Sequence, residues 1–88
     1  MAAQVLILIQ TKLSWSQRQA LRELAQDTWS REDFTLRYYP YSARAPGGVL
    51  RLTVRQGRAR GLATALRRRL RDEFGEGVTL WTEYDKAH

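Results

Sequence analysis

The chain has 88 residues, a formal net charge of +6 at pH 7 and no cysteine. This length fits one domain with one core and excludes two independently stable domains. The lack of cysteine excludes disulfides and cysteine-bound zinc, so dimerisation is a plausible supplement to a small core. The net charge predicts attraction to polyanions or to acidic protein surfaces.

The N-terminal segment predicts a buried strand. Residues 5–9 are all apolar and lie between polar residues, which is typical of a central strand covered on both faces. The side chains that face the core stay open between two alternate sets: Val5, Ile7 and Ile9, or Leu6 and Leu8. The apolar run is too short for a signal-peptide core or a membrane span, so we expect a cytoplasmic chain without a membrane partner.

A first helix follows this strand. Ser14 and Ser16 each precede a Gln by three residues, which gives two candidate capping boxes at the helix start. The apolar side of the helix includes Leu21, and Arg18 falls on the opposite, solvent side. The pattern predicts about four turns that end near Trp29.

The second half of the chain repeats the order of strand and helix. From residue 34 the apolar period becomes two, which predicts a strand ended by Pro40 and, after a loop, an antiparallel partner over residues 49–55. Gly57 breaks this pattern, and a helix with Gly75 at its C-cap follows. One apolar stripe defines that helix: Ala59, Leu62, Ala63, Leu66, Leu70 and Phe74. Residues 78–84 predict the last strand, and residues 85–88 a frayed tail.

The order strand, helix, strand, strand, helix, strand predicts an α+β fold. Each half is a split βαβ unit, and the right-handed crossover rule places both helices on one face of a four-stranded antiparallel sheet. This is the ferredoxin-like βαββαβ arrangement, here as a single domain over residues 1–88. In that arrangement the first and third strands are central, and the second strand, which Pro40 ends, lies at an edge.

The charge is concentrated in the second half. Residues 34–71 hold ten arginines, no lysine and no acid. Arg68 and Arg69 precede Asp72 and Glu73 by four residues and are expected to form local ion pairs. Three other arginines share one flank of the second helix with no acid within a turn: Arg60, Arg67 and Arg71. A row of like charges suggests an external anion, and a merely solvated surface is the alternative.

The sheet face opposite the helices is the second candidate surface. It is expected to present Arg37, Arg51 and Arg55 with the aromatics Tyr39 and Trp81. Arginines beside flat aromatics can bind a single nucleic-acid strand by phosphate contacts and base stacking. The same face is a candidate dimer interface centred on Trp81 and Tyr39, because monomers rarely leave such apolar patches exposed. The two central strands lack the aromatics of an RNA recognition motif, so that family is not indicated.

A smaller candidate lies at the start of the second helix. Gly57, Arg58 and Arg60 form a glycine-containing turn that could hold one phosphate or sulfate at free backbone N–H groups. The spacing is not that of a P-loop, since no Gly-Lys-Ser/Thr follows. The alternative is that Gly57 only ends the third strand.

Enzyme chemistry has little support in the sequence. The one histidine, His88, is at the C-terminus, and no cluster has metal-ligand spacing. We therefore predict no catalytic residues, no metal and no cofactor. The leading hypothesis is a small basic nucleic-acid-binding domain that favours RNA or single strands. The alternative is a homodimeric interaction or regulatory module whose arginine surface meets an acidic protein.

Overall fold

The computed structural model describes residues 2–28 and 34–86. The strands are β1 (Ala2–Ile9), β2 (Thr35–Tyr39), β3 (Val49–Arg55) and β4 (Leu80–Lys86). The helices are α1 (Trp15–Glu23), which continues as a π-helical turn (Leu24–Thr28), and α2 (Ala59–Phe74), which follows a 3-10 turn (Gln56–Arg58). The four strands form one open antiparallel sheet in the order β2-β3-β1-β4. The prediction of an α+β fold with two helices and a four-stranded antiparallel sheet is confirmed.

Strand β1 lies in the middle of the sheet and is covered on both faces. Val5, Ile7 and Ile9 are fully buried in a core cluster that includes apolar side chains of both helices. This settles the alternative that the sequence left open. Leu8 points to the opposite face and is still only 2% exposed. The uninterrupted apolar run is therefore explained by burial on both sides of the strand.

Helix α1 begins where the capping pattern predicts. The Ser14 hydroxyl accepts a hydrogen bond from the Gln17 N–H at 3.2 Å, and the Gln17 side chain accepts from the Ser14 N–H at 2.9 Å. Leu21 is buried in the core, as the helical period predicts. The helical turns change from α to π at Leu24, and the predicted end near Trp29 lies outside the described residues.

Strands β2 and β3 form the predicted antiparallel hairpin, and β2 lies at the edge of the sheet. Pro40 follows the last residue of β2, where the loss of a backbone donor interrupts no ladder. Gly48 has φ +96°, and a Cβ there would lie 2.6 Å from the Tyr39 carbonyl oxygen. Glycine is thus required where the loop returns to β3.

Helix α2 buries the predicted stripe against the sheet and ends at Gly75, which has φ +86°. Strand β4 begins at Leu80 and continues to Lys86, so it is shifted two residues beyond the predicted range. Val78 is buried in the core although it lies two residues before the start of β4. Along the chain, the buried segment thus starts earlier than the paired one. Asp85 and Lys86, expected in a frayed tail, pair with Gln4 and Ala3 of β1. Within the described ranges, no helix has the length and apolar character needed to cross a membrane.

Candidate nucleic-acid interface

The face of the sheet opposite the core, here called the outer face, is defined by strand register. Cross-strand partners point to the same side of a sheet. One transverse row of side chains runs Arg37, Arg51, Leu6 and Glu83 from β2 to β4. The next row runs Tyr39, Val49, Leu8 and Trp81. The outer face therefore holds Arg37, Arg51 and the two predicted aromatics, and β3 adds Arg55 at its end.

Arg37 and Arg51 are directly opposite each other on β2 and β3. Like charges in this position destabilise a sheet. Neither arginine forms an ion pair with a described residue. The ion pair that the described residues do form joins Arg44 and Glu83. The Arg51 guanidinium carbon lies 5.2 Å from the centre of the Tyr39 ring, within cation–π range. Two cationic groups that form no ion pair with a described residue therefore lie together beside an aromatic ring.

The aromatic row has an aliphatic centre that is mostly closed to solvent. Trp81 is 61% exposed and Tyr39 is 39% exposed, whereas Leu8 between them is buried. Three strand spacings separate the two aromatics, a distance of about 14 Å. Both predicted dimer-interface residues thus lie on the outer face, at opposite ends of one row. The apolar patch between them is smaller than the sequence suggested.

The loop between β2 and β3 is held by two arginines that the sequence pattern did not single out. Arg18, predicted on the solvent side of α1, is half-buried and donates hydrogen bonds to the carbonyl oxygens of Leu13, Pro40 and Pro46. Arg44, within the loop, forms its ion pair with Glu83 on β4. Helical periodicity missed Arg18 because two of its three acceptors, the carbonyls of Pro40 and Pro46, are 22 and 28 residues away in sequence. Glu83, the acid at the β4 end of the row with Arg37 and Arg51, is therefore already paired with Arg44.

Three arginines line one flank of α2, as predicted, but on the helical side of the sheet. The Arg60 guanidinium carbon lies 5.4 Å from the centre of the Tyr84 ring on β4. Arg67 is half-buried, and its Nε has no hydrogen-bond partner within the described part of the chain. Arg71 is exposed beside a depression of about 410 Å³ that is lined by both arginines and acids: Thr64, Arg67, Arg68, Arg71, Asp72 and Glu76. The structure does not bring this flank together with the arginines of the outer face.

The local ion pairs predicted on α2 are not formed. The charged atoms of Arg68 and Asp72 are more than 4.0 Å apart, and so are those of Arg69 and Glu73. Among the described residues, the ion pair that forms is Arg44 with Glu83. Such exposed pairs contribute little, so their absence changes the stability of the helix by only about 0.3–0.5 kcal/mol each.

The turn at Gly57, Arg58 and Arg60 is exposed and opens α2. Arg58 is the N-cap residue and makes no side-chain capping hydrogen bond. Gly57 does not have a positive φ, and no atom lies within 4 Å of a Cβ added there. The Ala59 N–H donates to the Gln56 carbonyl within the 3-10 turn, so that donor is not open to an anion. Gly57 itself is not required by the backbone conformation.

Residues 2–28 and 34–86 contain no group of three His, Cys, Asp or Glu side chains that could hold a metal ion. Burial raises the pKa of Tyr38 above its ordinary value of 10.0, and its hydroxyl donates a 2.6 Å hydrogen bond to the Gly47 carbonyl. That contact gives Tyr38 a structural role at the β2–β3 loop. No protein-family model, curated protein or solved structure matches the chain.

Proposed function

We propose that this chain is a small nucleic-acid-binding domain that favours RNA or single strands and contacts the phosphate backbone through arginine. The observation that carries the proposal is the pair Arg37 and Arg51, which lie opposite each other on neighbouring strands of the outer face and form no ion pair with a described residue. A phosphate between them would relieve their repulsion and accept charge-assisted hydrogen bonds from both guanidinium groups. Arg55, four residues beyond Arg51 on β3, would contact a second phosphate about 13 Å away.

The aromatics support a single strand over a duplex. Tyr39 and Trp81 are exposed on the same face, and unpaired bases stack on such side chains with about 1–3 kcal/mol per base. Duplex bases are already stacked on one another and present only their edges. The burial of Leu8 between the aromatics also leaves less apolar area for a protein partner than an open aliphatic strip would.

We also propose that the fold is the ferredoxin-like arrangement. Two interleaved βαβ units with right-handed crossovers generate the sheet order β2-β3-β1-β4. The participation of both helices in the core cluster with Val5, Ile7 and Ile9 supports their common placement on one face.

The helix flank of Arg60, Arg67 and Arg71 is a second, separate backbone-binding proposal. It lies on the helical layer, so one short strand cannot contact it and the outer face together without wrapping round the sheet. Two acids share its depression, and Arg60 already packs against Tyr84. We therefore place the principal site on the outer face, and the anion site at Gly57 and Arg58 stays a prediction.

The test is fluorescence anisotropy of a labelled mixed-sequence single-stranded RNA titrated at several salt concentrations. The two phosphates contacted on the outer face predict a log-log salt slope of about 1.4, at about 0.7 per phosphate. Changing Arg37 and Arg51 together to Gln removes the shared phosphate contact and should lower the slope by about 0.7. A matched double variant, Arg68→Gln with Arg69→Gln, removes the same charge from the exposed side of α2 and should leave the slope within about 0.3 of the wild type.

Two results would contradict this proposal. One is the absence of wild-type binding at low salt, and the other is an Arg37 and Arg51 variant that binds like its matched control. A loss of binding confined to an Arg60, Arg67 and Arg71 triple Gln variant would move the site to the helix flank. Circular dichroism of every variant shows whether the fold is retained.

The alternative function is a homodimeric interaction module, favoured by the high exposure of Trp81. In that case the outer face would bind a second copy or an acidic protein and no nucleic acid. Sedimentation velocity of the wild type and Trp81→Ala separates the two functions. Self-association that is lost in Trp81→Ala, without RNA binding by either protein, would support the module and overturn the nucleic-acid proposal.

A further inference from the structure

A depression of about 370 Å³ lies beside the outer face, at the free edge of β2. Its lining includes Leu36 and Tyr38, which point toward the helices, and Arg37 and Tyr39, which point to the outer face. Because side chains of both parities line it, the depression follows the edge of the strand. Backbone N–H and C=O groups at such an edge have no neighbouring strand. The depression is thus continuous with the arginine pair through Arg37.

The opposite wall comes from α1 and the π-helical turn. Arg22 and Gln26 line this wall, with Ala25 between them at the core. The charged side chains among the described lining residues are therefore two arginines on facing walls, Arg22 and Arg37.

Three other depressions of the described structure differ in charge from this one. The 410 Å³ depression on the helix flank contains Asp72 and Glu76 beside its arginines. A depression of about 260 Å³ between the two helices contains Glu23 and Glu73, and one of about 310 Å³ on α2 contains Asp72 and Glu73. Of these four depressions, the one at the edge of β2 is lined by arginines, aromatic rings and a side-chain amide, with no acid among the described lining residues.

We infer that this depression is a nucleotide subsite. A single strand bound on the outer face passes over the edge of β2, its phosphate lies between Arg22 and Arg37, and its base packs against Tyr39. The Gln26 amide has donors and an acceptor that suit the polar edge of a base. The volume lies in the range of about 300–1,000 Å³ found for small-ligand sites. This inference rests on the proposed function and adds Arg22 and Gln26 to its residues.

An edge strand can also accept an acidic peptide by strand addition. Nucleic acid is favoured because an aromatic ring and a side-chain amide accompany the arginines, and a base uses both. The peptide is therefore treated as an outcome of the test.

The test compares Arg22→Gln with Arg69→Gln, which removes the same charge from a residue of α2 that does not line this depression. Both variants and the wild type are titrated with labelled RNA of three and nine nucleotides. For the nine-nucleotide RNA, Arg22→Gln should weaken binding about tenfold and reduce the salt slope by about 0.7, whereas Arg69→Gln should change affinity less than about twofold. Gln26→Ala should weaken binding about threefold with an unchanged salt slope, since it removes no charge.

The outcomes separate the subsite from the function it extends. If the wild type binds no RNA, the nucleotide subsite and the proposed nucleic-acid-binding function are both refuted. If the wild type binds and Arg37→Gln weakens it, but Arg22→Gln behaves like Arg69→Gln, the subsite alone is refuted. If Arg22→Gln weakens binding of a labelled polyglutamate peptide and leaves RNA affinity unchanged, the depression is a peptide site and the inference is overturned. Proton NMR shifts of the Tyr39 ring on adding RNA, reduced in Arg22→Gln, would support it directly.

Discussion

Replacing Arg18 by alanine should destabilise the domain far more than replacing an exposed arginine of the same helix. Its guanidinium joins the segment before α1, through the Leu13 carbonyl, to the β2–β3 loop, through the carbonyls of Pro40 and Pro46. It also lies 5.2 Å from the centre of the Tyr41 ring. Arg18→Ala removes these contacts together while it preserves the helical backbone.

The loss of unfolding free energy in Arg18→Ala depends on how well each contact is shielded from water. A hydrogen bond from a charged donor contributes about 1.5–3 kcal/mol when buried, but here two bonds are only partly buried and the third is exposed. Taking about 1 kcal/mol for each partly buried bond and about 0.5 for the ring contact gives about 2–3 kcal/mol. For a domain of this size, each kcal/mol shifts Tm by about 4–8 °C, so a loss of about 10–20 °C is expected.

Urea unfolding followed by circular dichroism measures this change. The matched control is Arg22→Ala, one turn further along the same helix at an exposed position, which should stay within about 0.5 kcal/mol of the wild type. Arg18→Lys keeps the charge but loses the planar fork that reaches several carbonyls, so its stability should fall between the two. A free energy of unfolding for Arg18→Ala equal to that of Arg22→Ala would refute the reasoning.

Two further predictions concern the β2–β3 loop and the α2 start. Gly48→Ala should lower the free energy of unfolding by about 1–3 kcal/mol because of its positive φ, whereas Gly57→Ala should leave it unchanged or raise it by about 0.4–1 kcal/mol; equal urea midpoints would contradict this. Burial raises the pKa of Tyr38 above 10.0 in the folded state, so the folded state holds the phenolic proton more tightly than the unfolded chain. The resulting stability is present below pH 10 and is lost as pH rises through the raised pKa, so Tyr38→Phe should lose less stability between pH 9 and pH 12; parallel curves would rule this out.

Periodicity predicted the elements well because burial and strand parity are local properties of the sequence. The run at residues 5–9, the capping box at Ser14 and the C-cap at Gly75 each specify a local backbone state. The parity of β3 also predicted that Arg51 and Arg55 lie on the outer face. Parity did not predict the start of β4, because Val78 is buried without being paired.

The contacts that shape the candidate site depend on distant segments. Arg18 donates hydrogen bonds to carbonyls 22 and 28 residues away. The depression at β2 forms between α1 and β2, which are separated in sequence by a segment outside the described residues. The rings that Arg51 and Arg60 approach are selected by rotamers and packing rather than by spacing. No period along the chain contains that information.

The position of β1 in the sheet also has a consequence during synthesis. Its partners β3 and β4 are made about 40 and 70 residues later, which corresponds to roughly 2–8 s and 4–14 s at about 5–20 residues per second. Until then, the five apolar residues at positions 5–9 have no sheet to join. The central strand β1, which is covered on both faces in the folded sheet, is therefore the first of the four strands to be made, and its apolar side chains wait longest for their partners.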